Sequence, residues 1–422
     1  MNRIPKMIRR LCVAALLSCC WMPSAHAADA AGALIERGAY LARVGDCVAC
    51  HTAPKGKPYA GGLAMSTPVG AVYSTNITPD PRTGIGTWTL RDFERALRHG
   101  VSRDGHNLYP AMPYPSYAKV RDEDVAALYA YFMRAVPAVK QANRESDIRW
   151  PLNMRWPLKL WNLAFLDQEV FRDNAAQSAT WNRGAYLTQG LGHCGACHTS
   201  RGAAFQEKAL DERGDQYLQG AALEGWYASS LGGDRRAGLG RWNEQDLRSF
   251  LRTGANRHAT AFGSMTDVIN NSTQHLTDAD TQAIAHYLKS LPTPDGAGLF
   301  AAVPVATSAQ ALSGARVYGK YCLQCHGADG RGVPPLLAPL ALNPNLAAPR
   351  TASLINVTLN GTRELVIGGL PAPYPMPAFG KVLSDAEVAD VVTYLRGQWG
   401  QGADPMSVSA DEVRKLRKTT RR

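Results

Sequence analysis

Three short stretches of this 422-residue chain share one pattern of cysteine and histidine. They read Cys47-Val48-Ala49-Cys50-His51, Cys194-Gly195-Ala196-Cys197-His198 and Cys322-Leu323-Gln324-Cys325-His326. Two thiols three positions apart lie on one helical turn, where they can bond the two vinyl groups of a haem while the adjacent histidine reaches the iron. The pattern therefore predicts three covalent c-type haems, held by these six cysteines, with His51, His198 and His326 as iron ligands.

Other uses of paired cysteines fit the motifs poorly. The chain has nine cysteines, and the three outside the motifs are Cys12, Cys19 and Cys20. A closed zinc site needs four ligands, and no second cysteine pair completes any motif. A thioredoxin-like redox pair gives no reason for a histidine after each pair. Because the motifs use all six remaining cysteines, we expect no disulfide.

The second axial ligand of a six-coordinate c-type haem is usually a methionine, whose soft thioether favours Fe(II). Met265 is the only methionine between His198 and the third motif. At comparable sequence distances after the histidines of the first and third motifs lie Met112 and Met376. Prolines flank both methionines and keep their loops non-helical. Three other methionines compete with Met112 in the first unit: Met65, Met133 and Met154. Core packing explains Met65 and Met133 better.

The segments around the motifs also repeat. Residues 37–41 read RGAYL and recur at 183–187, with a weaker copy at 314–318, and each predicts a helix before its motif. Beyond each methionine we expect an amphipathic helix with one matched tyrosine, which we interpret as a core residue: Tyr131, Tyr287 and Tyr394. The predicted fold class is therefore mainly α, with three tandem class I cytochrome c-like domains and Pro/Gly-rich linkers.

The repeats define the expected domains. These are a signal peptide at 1–27, cytochrome c domain 1 at 31–140, a Trp-rich connecting segment at 141–179, cytochrome c domain 2 at 180–295, cytochrome c domain 3 at 309–400 and a basic tail at 401–422. Domains 1 and 2 are the most alike, because each carries a Gly-x-Gly-x-Trp stretch before a further helix. The aromatic stretch 150–171 must pack on a domain or dock on a partner or membrane.

Residues 1–27 have the parts of a secretory signal peptide: four cations, an apolar run at 11–22 and a small-x-small cleavage site at 25–27. Twelve apolar residues are too few to span a bilayer, and an uncleaved anchor or a lipoprotein acylated at Cys19 fits less well. We therefore expect an exported protein on the periplasmic side of the cytoplasmic membrane, peripherally attached.

Most of the excess positive charge lies at the two ends of the chain. The net charge of +11 falls to +7 without residues 1–27, and six of the remaining excess cations lie within 414–422. The body is then nearly neutral, which argues against nucleic acid as a partner. The basic tail is expected either to be solvated or to be attracted to anionic lipid headgroups.

Four stretches carry a resemblance to a known family: GDCVACHT at 45–52, STNITPD at 74–80, YPAMPY at 109–114 and GLGHCGACH at 190–198. They resemble the triheme cytochrome c subunits of bacterial membrane-associated dehydrogenases for gluconate, fructose, sorbitol or alcohols. The resemblance covers nearly the whole mature chain. It implies electron transfer from a dehydrogenase subunit with a flavin or quinone cofactor to ubiquinone at the membrane surface. The YPAMPY stretch looks more like the flavin-linked gluconate and polyol branch.

The residues themselves also indicate that another subunit oxidises the substrate and that this chain transfers the electrons. No Gly-x-Gly-x-x-Gly fingerprint follows a predicted strand, so we expect no substrate-oxidising site and no enzyme activity by the chain itself. Two alternatives remain, a haem enzyme such as a peroxidase or the cytochrome c subunit of a quinoprotein alcohol dehydrogenase. A peroxidase, like a gas sensor, needs an iron without methionine, and three candidate methionines argue against both. His193 is expected to be a solvated loop residue rather than a ligand or proton carrier.

Overall fold

Helices make up most of the regular structure. The computed structural model describes residues 23–67, 69–223, 225–293, 309–369, 372–400 and 407–420, so residues 1–22 of the predicted signal peptide and the linker 294–308 lie outside it. The helices are α1 (Pro23–Val44), α2 (Cys47–Cys50), α3 (Leu90–His99), α4 (Tyr114–Tyr117), α5 (Asp122–Arg134), α6 (Pro157–Phe165), α7 (Ala179–Gln189), α8 (Gly195–His198), α9 (Glu244–Thr253), α10 (Ser264–Asn271), α11 (Asp278–Ser290), α12 (Ala309–Tyr321), α13 (Leu323–His326), α14 (Pro344–Ala347), α15 (Ala352–Asn360), α16 (Asp385–Trp399) and α17 (Ala410–Thr419).

Two small antiparallel sheets and a short 3-10 helix (Thr273–His275) accompany the α-helices within the described residues. Strand β1 (Ala64–Thr67) pairs with β2 (Gly70–Tyr73), with Ala64 opposite Tyr73. Strand β3 (Ala221–Leu223) pairs with β4 (Trp226–Ala228), with Ala221 opposite Ala228. The fold is therefore mainly helical, as the sequence predicts.

Three helix pairs cross in the same way, namely α1 with α5, α7 with α11, and α12 with α16. At each crossing a glycine of the first helix faces a backbone carbonyl and a tyrosine Cβ of the second: Gly38 faces Ala127 and Tyr131, Gly184 faces Ala283 and Tyr287, and Gly314 faces Asp390 and Tyr394. A side chain at these positions would overlap the carbonyl, so the close approach depends on glycine. We call the surrounding residues 23–148, 179–293 and 309–420 units 1, 2 and 3.

The shorter helices begin and end where their sequences predict. Thr89 and Asn243 form capping boxes with Asp92 and Asp246, which satisfy the first N–H groups of α3 and α9. Both helices end at glycines with positive φ, Gly100 at 60° and Gly254 at 71°. The Gly-x-Gly-x-Trp repeat of the sequence thus precedes the same capped helix in units 1 and 2.

Units 1 and 2 exchange hydrogen bonds through the RGAYL repeat. The Arg37 side chain donates to Asp124 of its own unit at 2.6 Å, and Tyr186 of unit 2 donates to the same carboxylate at 2.6 Å. The reciprocal pair is Arg183 to Asp280 at 2.7 Å and Tyr40 to Asp280 at 2.5 Å. Buried side chains of the two units consequently form one continuous core, while unit 3 has a core of its own.

Residues 410–419 of the predicted basic tail form a packed helix, not the solvated tail that was one of the two expectations, while residues 401–406 and 421–422 of that tail lie outside the described residues. In α17, Val413 is fully buried against unit 3. The Arg417 side chain donates to Asp385 at 2.6 Å and to the Leu383 carbonyl at 2.9 Å. Residues 410–419 therefore extend unit 3 beyond residue 400, and part of their positive charge is neutralised within the unit.

The aromatic stretch 150–171 divides into an inner and an outer part. The Trp161 Nε1 donates to the Ala204 carbonyl at 2.8 Å, and the Phe171 ring packs 5.4 Å from that of Tyr186. Trp150 and Trp156 are instead exposed. Internal packing was one of the two expectations for this stretch, and it holds for Trp161 and Phe171 but not for Trp150 and Trp156.

We expect Gly314→Ala to destabilise the protein by about 2–3 kcal/mol, because the new methyl group would overlap the Asp390 carbonyl. Gly319→Ala in the same helix is the matched control, since no other heavy atom lies within 4 Å of the point that an alanine Cβ would occupy. There alanine should stabilise the helix by about 0.5–1 kcal/mol. Thermal unfolding followed by circular dichroism measures both, and equal midpoints would contradict the close helix crossing.

Candidate haem sites

The three histidines predicted to bind iron make the same hydrogen bond. Each Nδ1 donates to a backbone carbonyl further along the chain: His51 to Thr75 at 2.7 Å, His198 to Ser229 at 2.7 Å and His326 to Ala338 at 2.8 Å. Burial lowers the pKa of all three rings, which keeps them neutral at pH 7. A neutral ring whose Nδ1 donates a hydrogen bond presents a lone pair on Nε2, as an iron ligand must.

The six motif cysteines lie at or within three short helices. The first pair spans one helical turn of α2, and the others lie at or within the short helices α8 and α13. None of these six cysteines forms a disulfide. Burial raises the pKa of Cys47 and Cys194 to about 12, so these thiols are protonated at neutral pH. Over the described residues, no three His, Cys, Asp or Glu side chains converge on a possible metal position.

The second site brings its predicted residues together around one cavity. Cys194, Cys197, His198 and Met265 all line it. Helix α10 begins at Ser264, directly after Gly263, whose φ of 59° turns the chain into the helix. Met265 lies in the first turn of this helix. The apolar lining, paired thiols, imidazole and thioether fit a c-type haem.

The other two predicted methionines lie in loops tied to their units. Met112 packs against the core shared by units 1 and 2, and its carbonyl accepts a hydrogen bond from the Tyr114 N–H at 2.8 Å. Met376 donates its N–H to the Thr362 Oγ1 at 2.8 Å. Among the competitors, Met65 lies in β1, Met133 packs on the core and Met154 is exposed.

The second site lies between the other two units. Its cavity is also lined by Val44 and Asp46 of unit 1 and by Asn345 and Ser353 of unit 3. Ser229, whose carbonyl holds His198, donates from its Oγ to the Asn345 side chain at 2.8 Å. Unit 3 thus contacts Ser229, the residue whose carbonyl orients His198 of unit 2.

His193 is not the solvated loop residue that the sequence led us to expect. Its ring packs edge-on against Tyr117 of unit 1, with the centroids 5.6 Å apart. Its Nδ1 donates to the Leu191 carbonyl at 2.7 Å, and the side chain lines the cavity of the second site. Burial lowers the pKa of this histidine. His193 is therefore a neutral packing residue where units 1 and 2 meet.

Asp46 is a feature that the sequence analysis missed, although it belongs to the GDCVACHT stretch. It adopts a left-handed conformation with φ of 47°, is nine-tenths buried and lines the cavity of the second site. Its Oδ1 has no hydrogen-bond partner among the described residues. Burial, helped by the nearby negative charge of Asp267, raises the pKa of Asp46 to about 8.

Two family models match parts of this chain, and several relatives match most of it. Residues 35–135 match the cytochrome c family, and residues 309–395 match subunit III of cbb3-type cytochrome c oxidase. The gluconate 2-dehydrogenase cytochrome c subunit of Pantoea cypripedii is 52% identical over 92% of this chain and 90% of its own length. The chain belongs to the family of dehydrogenase cytochrome c subunits.

Other members of this family serve complexes that oxidise different substrates. The cytochrome c subunit of the quinone alcohol dehydrogenase of Gluconobacter oxydans is 46% identical over 94% of this chain and 84% of its own. The fructose dehydrogenase cytochrome subunit of Gluconobacter japonicus is 36% identical over 91% and 82%. Such cytochrome c subunits are electron-transfer components and are not catalytic on their own, so the peroxidase alternative is not favoured.

Met265→Ala should lower the midpoint potential of one haem in the loaded protein, because the soft thioether that favours Fe(II) is removed. The weak sulfur-to-iron absorption of the oxidised protein should fall by about a third. Spectroelectrochemistry measures both. Met133→Ala, which shortens a methionine packed on the core, should leave both unchanged. Unaltered potentials in the Met265 variant would show that Met265 is not a ligand.

Asp46 should make a haem potential depend on pH. Because the pKa of Asp46 is raised to about 8, the carboxyl is neutral below that pH and becomes negative above it. A negative charge stabilises Fe(III), so the wild-type potential should fall as the pH rises through 8, by at most about 59 mV per unit. Asp46→Asn should flatten this fall in a pH titration of the potentials. Glu123→Gln, on the exposed start of α5, is the charge-matched control, and an equal effect there would disprove the assignment.

Proposed function

We propose that this chain relays electrons from a dehydrogenase subunit with a flavin or quinone cofactor to ubiquinone at the membrane, through three haem c groups. The observation that carries the proposal is the threefold recurrence of one arrangement. Each glycine-dependent helix crossing is followed by a cysteine pair and a histidine whose Nδ1 donates to a backbone carbonyl.

The proposal assigns one haem to each of three tandem class I cytochrome c domains, at about 31–140, 180–295 and 309–400. The attaching cysteines are Cys47, Cys50, Cys194, Cys197, Cys322 and Cys325. The axial iron ligands are His51 with Met112, His198 with Met265 and His326 with Met376. The second set is supported by a common cavity. The first and third sets rest on the histidine hydrogen bonds and on the loops that present the methionines.

Bound haems supply one-electron redox chemistry, and the protein supplies their separation and surroundings. The central position of the second site supports a continuous route through the three units. The Tyr40 and Tyr186 hydrogen bonds hold units 1 and 2 at a fixed distance. The three histidines, whose pKa values are lowered by burial, add no positive charge to the sites at neutral pH.

The dehydrogenase partner is proposed to oxidise gluconate or a polyol, in keeping with the YPAMPY stretch and the gluconate 2-dehydrogenase relative. An alcohol dehydrogenase partner is the alternative, supported by relatives at 46–47% identity. No helix within the described residues is long and apolar enough to cross a membrane. Together with the predicted signal peptide, this supports a peripheral protein on the periplasmic side.

Haem content and partner dependence test the proposal together. A pyridine haemochrome assay should give three c-type haems per chain, and two in a Cys322→Ser/Cys325→Ser variant. The purified chain should not be reduced by gluconate, polyols or alcohols alone, but should be reduced once its dehydrogenase subunit is added. A count of two haems in the wild type, or rapid reduction without a partner, would refute the proposal.

A further inference from the structure

An exposed apolar face lies on the connecting segment between units 1 and 2. Of the large apolar side chains that the structure describes as exposed, a cluster falls within residues 150–163. The face consists of Trp150, Leu152, Trp156, Leu160 and Leu163, which are 78%, 58%, 64%, 59% and 85% exposed. Surface apolar residues are usually scattered singly, so a cluster of this kind indicates an interaction surface.

The opposite side of α6 fixes the face to the protein. The Asn162 side chain accepts a hydrogen bond from the Tyr114 hydroxyl at 2.7 Å and donates to the His99 carbonyl at 3.1 Å. The Trp161 ring lies 6.0 Å from that of Tyr114, and its Nε1 donates to Ala204 of unit 2. These contacts bind α6 to both neighbouring units, so the exposed face is a fixed part of the surface rather than a loose linker.

Both sides of α6 are apolar, which is unusual for a helix at a water interface. Trp156, Leu160 and Leu163 follow one another at spacings of four and three residues, so they lie on one side of the helix. Trp161 and Phe165 lie on the side that packs inward, with their rings 5.4 Å apart. Apart from Lys159 and Asn162, the side chains of α6 are apolar on both sides, so the helix is stable where its outer side meets another apolar phase.

The charged residues around the exposed apolar face indicate the kind of surface that it contacts. Residues 148–166 contain three cations, Arg149, Arg155 and Lys159, and no acidic residue. Arg149 and Lys159 are exposed, whereas the Arg155 guanidinium lies over the Tyr109 ring at 3.8 Å. Cations beside tryptophan and leucine are typical of helices that lie in the headgroup region of an anionic bilayer. The absence of acidic residues between 148 and 166 fits contact with such a negatively charged lipid surface.

We propose that this exposed apolar face docks the protein on the surface of an anionic lipid bilayer, with α6 lying in the interface. Nine helical residues extend only about 13 Å, too short to span the hydrocarbon core. The inference deepens the proposed function, on which it rests for a quinone acceptor in the membrane.

The docking face also identifies which haem site lies nearest the membrane. The Asn107 side chain donates to the Arg155 carbonyl at 3.3 Å, and the Tyr109 hydroxyl donates to the Leu152 carbonyl at 3.4 Å. Both donors belong to the segment that leads into Met112. The loop of the first site is therefore bonded directly to the docking face, and the first site is the one placed beside the lipid surface.

Vesicle binding by the haem-loaded full chain tests the inference. Vesicles of equimolar phosphatidylcholine and phosphatidylglycerol are sedimented with wild type, with Leu160→Glu/Leu163→Glu, and with the control Leu312→Glu. Leu312 is 62% exposed on α12, away from the face. We expect the double variant to bind at least about tenfold more weakly, because two apolar side chains are lost from the interface, and the control to bind as wild type does. Unchanged haem spectra verify that the variants are folded.

Hydrogen exchange locates the contact without any substitution. On adding the same vesicles, amide protection should rise within residues 149–166 and not in α17. Equal binding by the double variant, or protection confined to another surface, would overturn the inference. Loss of binding to the dehydrogenase subunit with unchanged vesicle binding would assign the face to a protein partner instead. Electron transfer from the dehydrogenase subunit to a water-soluble quinone does not need docking, so its failure would count against the proposed function alone.

Discussion

The contact of a glycine in one helix with a backbone carbonyl in another determines how each unit is built. At Gly38, Gly184 and Gly314 the absence of a side chain lets the two helices approach until the glycine touches the facing carbonyl. The first helix of each pair ends within a few residues of its cysteine motif. The crossing therefore fixes where each cysteine motif begins. The segments that carry the methionines, and the carbonyls that accept from the histidines, follow each motif in the chain.

A second interaction explains why units 1 and 2 form one body while unit 3 keeps its own core. Asp124 and Asp280 each accept from an arginine of their own unit and from a tyrosine of the other. In units 1 and 2 the arginine lies one residue before the crossing glycine, and the tyrosine lies two residues after it. The residues at these two positions in unit 3 are Ser313 and Arg316. The reciprocal exchange is thus not possible there. Buried charges are stable only when paired, so losing one member of such a set is costly.

Unit 3 instead joins unit 2 through backbone hydrogen bonds at the second site. The Ser353 hydroxyl donates to the Tyr227 carbonyl and accepts from the Tyr227 N–H, both at 2.9 Å. Arg363 adds an ion pair with Asp267, the residue whose charge contributes to the raised pKa of Asp46. All three units therefore meet around one cavity, where burial keeps His198 neutral and favours a protonated Asp46.

Features that depend on local spacing can be predicted from the order of the amino acids, whereas features that depend on contacts between distant segments become visible only in the folded protein. Three cysteine pairs with an adjacent histidine predict the attachment chemistry, and the RGAYL repeat and the amphipathic stretches predict helices, because each depends on residues close together in the chain. The mainly helical fold, predicted from these patterns, and the family of dehydrogenase cytochrome c subunits, predicted from the resemblance of four stretches of sequence, are both confirmed. Sequence spacing did not reveal that His193 packs on Tyr117, that Asp46 of unit 1 lines the cavity of unit 2, or that α17 is held by Asp385. Burial and electrostatic surroundings are set by neighbours from other units, which no local pattern encodes, and so the inner and outer sides of α6 could be told apart only in the folded protein.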